Sequence, residues 1–528
     1  MRIDHNAERA NDVSKIKDSL HPRKVVVAGP GTGKSFLFSE LIKKKQLEGK
    51  TNFLAITFIG KLGDALSDDL CGLAETMTMH GFARSFVLNH CKGWNYYPKM
   101  HELIKEDLLV EGIIDFQIGD ANYKRKTLYY KAVGDDDVVH YAIEICKKDS
   151  KKIPLFDLIL IDEYQDFNAL ESEFVDLLAQ KNEIVIVGDD DQALYEFKGS
   201  SPAFIRSKHD SSNTTFESHT LRFCSRCTEV IIKYFHSLVA KFDLNNPAKQ
   251  RIQKEYICYI PDKTTDSRLN PKIHLIKNCP PGMIPYKIKE QLEAIISGQK
   301  IKDVLVIGEG QSCVALLRQI ALHLKNDGFK NVDYKGDGNI LGIRQEIIDA
   351  YRFIIKEGDS LLGWRLLGDP IGTLAKKKHI ANSKTIKAIY DGSPKQLQKI
   401  KDAAIDDLES EIEVVTIADK EVRNKVLFQQ LKSSSAYLAR PLSNLDITVC
   451  NILNSKGLGA DIVFVVGFDQ GRFPTKATVN DSEVYQMLVA ITRAKKRIYL
   501  INTVGKPISE FANCIDPSDL DVVLIKSI

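Results

Sequence analysis

Ala28-Gly29-Pro30-Gly31-Thr32-Gly33-Lys34-Ser35 follows directly on the apolar run Lys24 to Val27 and opens onto the helical pattern Phe36 to Lys45. A strand, a glycine-rich turn closing on Gly-Lys-Ser, and a helix, in that order, make a phosphate-binding loop of the [AG]xxxxGK[ST] form. Glycine lets successive backbone N–H groups converge on phosphate oxygens at a helix N-terminus, where the helix dipole also favours negative charge. Lys34 is then the cation for the β and γ phosphates, and the Ser35 hydroxyl is suited to ligate Mg²⁺. A glycine-rich αβ turn with an incidental lysine is the competing reading, and the strand–loop–helix context argues against it.

Working outward, a second half of the site comes where such a fold requires it. Leu158 to Ile161 is an apolar strand ending in Asp162-Glu163-Tyr164-Gln165-Asp166. Open α/β sheets bind ligands at the C-terminal edge of their strands. Asp162 is placed to hold Mg²⁺ through water, and Glu163 to polarise an attacking water as general base. Further short apolar runs, Phe53 to Thr57, Ile184 to Val187, Val304 to Ile307, Ile462 to Val466 and Ile498 to Ile501, alternate with amphipathic helical stretches. That is the α/β pattern of parallel sheets with crossover helices. Four runs lie before residue 200 and three after residue 300, which predicts two sheets. The strand signal fades over 88–150 and 345–440, which read as short, mainly helical inserts.

Length and charge bound the function. The 528 residues leave room for about three to four domains. Lys plus Arg is 73 and Asp plus Glu 70, a formal charge of +3. A lone small binding module and histone-like, tail-driven polyanion binding are excluded; a polyanion must be met by local patches, with a shallow salt dependence. The lysine runs Lys43 to Lys45 and Lys376 to Lys378 read as solvated helix faces. Ten cysteines are too sparse for a disulfide scaffold. Cys224 and Cys227 form one CxxC without the second pair of a structural zinc site. Met1 to Leu20 is polar and charged, and no run approaches the roughly 18–20 apolar residues of a membrane span. A reducing, cytoplasmic setting without a membrane partner is expected.

After Ile184 to Val187 the chain reads Gly188-Asp189-Asp190-Asp191-Gln192-Ala193-Leu194-Tyr195-Glu196-Phe197-Lys198-Gly199. With the DEYQD run, this resembles the UvrD/Rep-like helicases of superfamily 1, whose motif is close to GDDDQSIYxWRG. Other blocks agree in order and spacing. Ala55 to Lys61 (AITFIGK) is similar to TFTNK, Thr78 to Gly81 (TMHG) to TFHG, and Leu221 to Cys227 (LRFCSRC) to LxxNYRS. Asn454 to Leu458 (NSKGL) with Gly471 to Pro474 (GRFP) is similar to SAKGLE and its GxFP tail, and Val489 to Lys495 (VAITRAK) to VALTRAK. The blocks run from Ala28 to Lys495.

The resemblance implies two RecA-like parallel-sheet motor domains, 1–87 with 151–205 and 206–344 with 441–528, separated by the inserts. It implies an ATP-dependent motor that translocates on single-stranded DNA 3′ to 5′ and separates duplex. Gln192 is then the sensor of the γ-phosphate, and Arg226 and Arg493 are arginine fingers supplied by the second domain, so that hydrolysis follows cleft closure. Phe58, Lys61, His80, Tyr195, Phe197 and Lys198 match DNA-facing positions, Phe197 at that of the stacking tryptophan.

Departures cluster on nucleoside recognition. No glutamine precedes Gln46, Phe36 stands where the family commonly carries arginine, Ser225 where it carries tyrosine, and Gly459 where it carries glutamate. A pocket lacking those polar contacts discriminates poorly between bases, so either GTP or deoxynucleotides are accepted nearly as well as ATP, or the base contacts come from elsewhere. The short inserts point to a compact member, similar to the helicase-like subunit of anti-phage systems such as Gabija. The alternative function is therefore a sensor of DNA ends that hydrolyses nucleotide and signals to a partner nuclease with little unwinding.

Overall fold

The computed structural model describes residues 4–58, 66–70, 72–196, 199–210, 212–335, 349–350, 352–353, 356, 360–368, 444–475 and 478–523. The chain divides into two compact units, Met1–Thr78 with Pro154–Gly336 and Ser433–Ile528, and Met79–Ile153 with Asp337–Lys432.

The first unit contains two parallel sheets. One is built from β1 (Arg23–Ala28), β2 (Phe53–Thr57), β3 (Glu75–Thr78), β4 (Leu158–Ile161), β5 (Ile184–Gly188) and β6 (Glu217–Leu221), in the order β3-β2-β4-β5-β1-β6. Its central strands are buried along almost their whole length, which is why they read as unbroken apolar runs rather than alternating ones. Because every pairing is parallel, the loops after β1, β4 and β5 emerge at one edge. These are the glycine-rich loop, the DEYQD run and the GDDDQ run.

The other sheet comprises β7 (Ile273–Cys279), β8 (Asp303–Gly308), β9 (Asn331–Lys335), β10 (Asp446–Asn451), β11 (Ala460–Val466), β12 (Ala494–Thr503) and β13 (Leu520–Val523), ordered β9-β10-β8-β11-β12-β7-β13. A helix from Asp481 to Thr492 precedes β12. It opens with a reciprocal cap in which the Asn480 side chain accepts from the Glu483 N–H and the Glu483 side chain accepts from Asn480. Two sheets with α/β crossovers are thus present, in keeping with a pair of RecA-like domains.

The division differs from the expected boundaries at two places. Glu217–Leu221 lies beyond residue 205, yet it completes the first sheet, pairing in register with β1 from Lys24↔Glu217 to Ala28↔Leu221. Its half-exposed edge position explains the weak apolar signal. The helix Met79–His90 begins before residue 88, yet it belongs to the second unit. It buries Met79, Phe82, Ala83, Phe86 and Val87 and packs on the helix Val138–Lys148 of that unit. The second unit has its own core, in which Leu103, Ile104, Tyr123 and Tyr130 meet Ala350, Leu362 and Leu366. Lys43, Lys44 and Lys45 pair with Glu40, Asp18, and Glu48 and Glu183. Lys376 to Lys378, and 369–440 generally, lie outside the described residues. Among the described residues no helix is long and apolar enough to cross a membrane.

Candidate active site

The loop after β1 is shaped by two left-handed glycines, Gly31 at φ 71° and Gly33 at φ 95°, the latter at the N-cap of the helix Lys34–Leu47. Gly31 is also forced by space: a Cβ there would stand 2.3 Å from the Arg226 Cβ. Thr32 Oγ1 donates to Gly29 O at 2.9 Å and tightens the turn.

Lys34 Nζ donates to Glu163 Oε1 at 2.7 Å and lies 3.4 Å from Asp162 Oδ1. Glu163 has φ 54° and ψ 39°, a left-handed conformation costing an L-residue roughly 1–2 kcal/mol. That bend leaves β4 for a turn at Tyr164–Asp166 and keeps the adjacent carboxylates beside the lysine. Burial alone would push Glu163 up, but Lys34 and Lys456 hold its carboxyl well below the usual range. Burial raises Asp162 against the pull of Lys34, with Glu163 beside it adding to the rise. Burial would lower the Lys34 ammonium, yet the two carboxylates hold it above its ordinary value. A buried, charged lysine between left-handed glycines and an ionised carboxylate is a donor set that fits a magnesium-bound triphosphate. Lys34 and the loop N–H groups would hold phosphate, and Ser35 and Asp162 the Mg²⁺.

Segments that pack into the core of the second sheet close on this loop. Ser225 N–H donates to Gly31 O at 2.9 Å, and the Tyr256 hydroxyl donates to Pro30 O at 2.6 Å. The Ser225 hydroxyl oxygen is buried with no hydrogen-bond partner among the described residues, an orphan polar atom beside the phosphate loop. Arg226 lies against Gly31, and its Nε is 3.5 Å from where a Cβ on Gly459 would stand. Arg493 is 2 % exposed and donates from Nη2 to Gln192 Oε1 at 3.0 Å. Its Nε and Nη1 are anchored on Val489 O and Leu458 O. Burial, together with the Arg226 cation, lowers Arg493 to about 10. Gln192 in turn donates from Nε2 to Asp189 Oδ2 at 2.7 Å.

The structure brings Lys34, Asp162, Glu163, Gln192, Arg226 and Arg493 close together. Three further residues join them. Lys456, from the NSKGL block, is buried, contacts the Asp166 carboxylate, donates to Gln192 O at 3.1 Å and lies 3.7 Å from Glu163 Oε2. The NSKGL motif contained it; its charge between two α/β bodies was the available signal. Asp166, the last residue of DEYQD, is raised to about 6, by burial foremost, with Lys456 opposing and Glu163 adding. Tyr256 carried no signal in the sequence.

The nucleic-acid positions behave differently. Tyr195, expected at a DNA-facing position, is 8 % exposed, 4.9 Å from the Phe58 ring, with Lys456 Nζ 5.6 Å from its centroid. The turn Asp190–Gln192 directs the following residues inward, so Leu194 and Tyr195 join the core of the second sheet. Phe58 is half-buried against the same core. His80 is half-buried at the start of the helix Met79–His90 in the second unit. Lys61, Phe197 and Lys198 lie outside the described residues. Phe36, at the start of the phosphate-loop helix, is 54 % exposed.

Comparison with known families gives two matches, an AAA domain over residues 14–198 and a UvrD-like helicase C-terminal domain over residues 340–505. The chain is 22 % identical to the ATP-dependent DNA helicase PcrA of Staphylococcus aureus, the alignment covering 73 % of this chain and 61 % of that protein. It is 24 % identical to the ATP-dependent DNA helicase Rep of Buchnera aphidicola, over 71 % of this chain and 68 % of Rep. A shorter stretch, 30 % of this chain, is 26 % identical to 14 % of an ATP-dependent helicase/nuclease subunit from Lactobacillus johnsonii. The alignment thus spans about three fifths of the length of the staphylococcal relatives (61 %).

Proposed function

Because this chain belongs to the UvrD/Rep-like helicases of superfamily 1, we propose that it is an ATP-dependent motor acting on DNA, hydrolysing nucleotide between its two sheets and translocating on single-stranded DNA. The observation that carries this reading is the Arg493–Gln192 hydrogen bond of 3.0 Å, which joins a residue ending a helix of the second sheet to the motif that follows β5 of the first. Phosphoryl transfer needs positioning and charge neutralisation more than covalent chemistry. Glu163, kept ionised by Lys34 and Lys456, is the group to accept a proton from attacking water. Ser35 and Asp162 would hold Mg²⁺, which would supply charge neutralisation on the phosphates. Gln192 orients groups at the γ-phosphate, and Arg226 and Arg493 add positive charge where it builds up in the transition state. Since those arginines belong to segments packed on the other sheet, hydrolysis and the relative placement of the two sheets are coupled.

A second reading, a DNA-end sensor that signals to a partner nuclease, draws support from the modest span of the segments 79–153 and 337–432 that make up the second unit. Hydrolysis measured with and without single-stranded DNA, beside displacement of a strand from a 3′-tailed duplex, tests the two. Stimulated hydrolysis with displacement supports the motor. Stimulated hydrolysis without it leaves the sensor, and absence of hydrolysis rejects both.

A further inference from the structure

Between the helix Glu229–Lys241 and the short strand Ile257–Cys258, the chain has only the single turn Pro247–Lys249. Two of its side chains nevertheless run deep: Arg251 is 4 % and Lys254 3 % exposed. Both end on the GDDDQ run. Lys254 Nζ lies 2.5 Å from Asp189 Oδ1, 2.6 Å from Asp190 Oδ1 and 2.9 Å from Asp191 Oδ2. Arg251 grips both Asp191 oxygens, from Nε and Nη2, at 2.7 Å each. Asp190 Oδ2 also accepts from Arg206 Nε and from Ile252 N–H, each at 2.9 Å. Three fully buried carboxylates thus meet three cations. The carboxylates are spaced closely enough for a divalent ion, but the Lys254 ammonium already contacts all three.

Burying six charges adds little stability over well-packed apolar side chains; the best-attested use of such networks is to set register or position. What this network positions can be traced bond by bond. Asp189 Oδ2 accepts from Gln192 Nε2 at 2.7 Å, and Asp189 N–H donates to Gln165 Oε1 at 2.9 Å. Gln165 Nε2 donates to Glu163 Oε2 at 2.6 Å. Asp189 is therefore the shared support of the Gln192 amide and of the bridge to Glu163. It is fully buried, so water cannot replace the lysine.

We propose that Lys254 and Arg251 are positioning residues for nucleotide hydrolysis, a strap whose charge keeps Asp189 an acceptor for Gln192 and holds Gln165 against Glu163. The inference rests on the hydrolytic reading above. Neither residue touches nucleotide; they act through the orientation of Gln192 and Glu163. Misplacing a reacting group by about 1 Å costs on the order of a hundredfold in rate without requiring weaker substrate binding.

The test is steady-state ATP hydrolysis by the full chain, as wild type and as Lys254→Met, Lys254→Arg and Arg251→Gln, with single-stranded DNA binding measured on each. The expected result for Lys254→Met is a kcat lower by about a hundredfold with KM for ATP within about twofold and unchanged DNA affinity. Lys254→Arg restores most of that rate because the charge returns. Should Lys254→Met fail to fold, Arg251→Gln carries the same expectation, since an underpaired Asp191 then draws on the Lys254 ammonium that it shares with Asp189. Wild-type kcat in a folded Lys254→Met or Arg251→Gln overturns the proposal. So does a loss that raises KM in proportion, or one that Lys254→Arg does not repair in folded protein. A wild type that hydrolyses nothing removes the hydrolytic reading itself, a result distinct from active wild type with unaffected variants.

Discussion

Arg493 Nη2 donates to Gln192 Oε1 at 3.0 Å, although the two residues stand 301 positions apart and follow strands and helices of different sheets. Arg493 is held on its other side by Val489 O and Leu458 O, so its guanidinium cannot move without the second sheet's helix. Arginines that neutralise charge in phosphoryl transfer are worth about 10³–10⁵ in kcat. Arg493→Ala and Gln192→Ala should each reduce hydrolysis severely, the arginine by about 10³ or more. Groups in direct contact are non-additive. The double variant should therefore cost little more than Arg493→Ala alone; strictly multiplied losses would mean the pair does not act as a unit.

Lys34→Ala and Glu163→Gln remove the phosphate cation and the general base. Loss of a base costs about 10²–10⁴ in rate, so turnover in either variant should drop to that extent while single-stranded DNA binding, followed by fluorescence anisotropy, stays as in wild type. Near-normal hydrolysis by either variant would show that the phosphate site lies elsewhere.

Asp166 gives the hydrolysis rate an acid limb. Its carboxyl is raised to about 6, by burial first, against the pull of Lys456. Below that pH it takes up a proton, and Lys456 is left buried beside a neutral partner. Activity should therefore fall as pH drops through about 6. Glu163, held well below the usual range, stays ionised over the same interval. Lys456→Gln removes the cation that lowers Asp166, so the limb should move to higher pH. A pH–rate profile in which Lys456→Gln leaves the limb in place, or shifts it downward, contradicts this assignment.

Base selectivity should be weak. Phe36 stands exposed beside the phosphate loop, and the Ser225 side chain makes no hydrogen bond among the described residues. Sites reject a wrong base strongly only when hydrogen-bonding groups would be left unpaired. ATP, GTP and dATP should be hydrolysed with kcat/KM values within about a hundredfold of one another; a larger preference for ATP would reveal a base contact supplied by another residue.

Legibility followed chemistry and burial. The phosphate loop and Asp162-Glu163 could be read because phosphate chemistry demands those residue types after strands that are apolar throughout. Gln192, Arg226 and Arg493 could be placed because their motifs resemble a family, and the structure brings them together. The edge strand Glu217–Leu221 was hidden, since a half-exposed edge needs no apolar run. The burial of Tyr195 was not legible either, because it follows from the turn at Asp190–Gln192, which sends it into the core. Lys254 and Arg251 were invisible for another reason: no spacing rule links a lysine in an irregular segment to carboxylates more than sixty positions upstream.

In the proposed motor, nucleotide hydrolysis between the two sheets drives movement along DNA. Strand displacement on a 3′-tailed duplex, with ATP hydrolysis recorded in the same reaction, tests it most directly. The expected result is hydrolysis stimulated by single-stranded DNA, displacement of the annealed strand by wild type, and loss of both with Lys34→Ala. Hydrolysis that DNA stimulates while the duplex stays intact, at enzyme in excess over DNA, would contradict it.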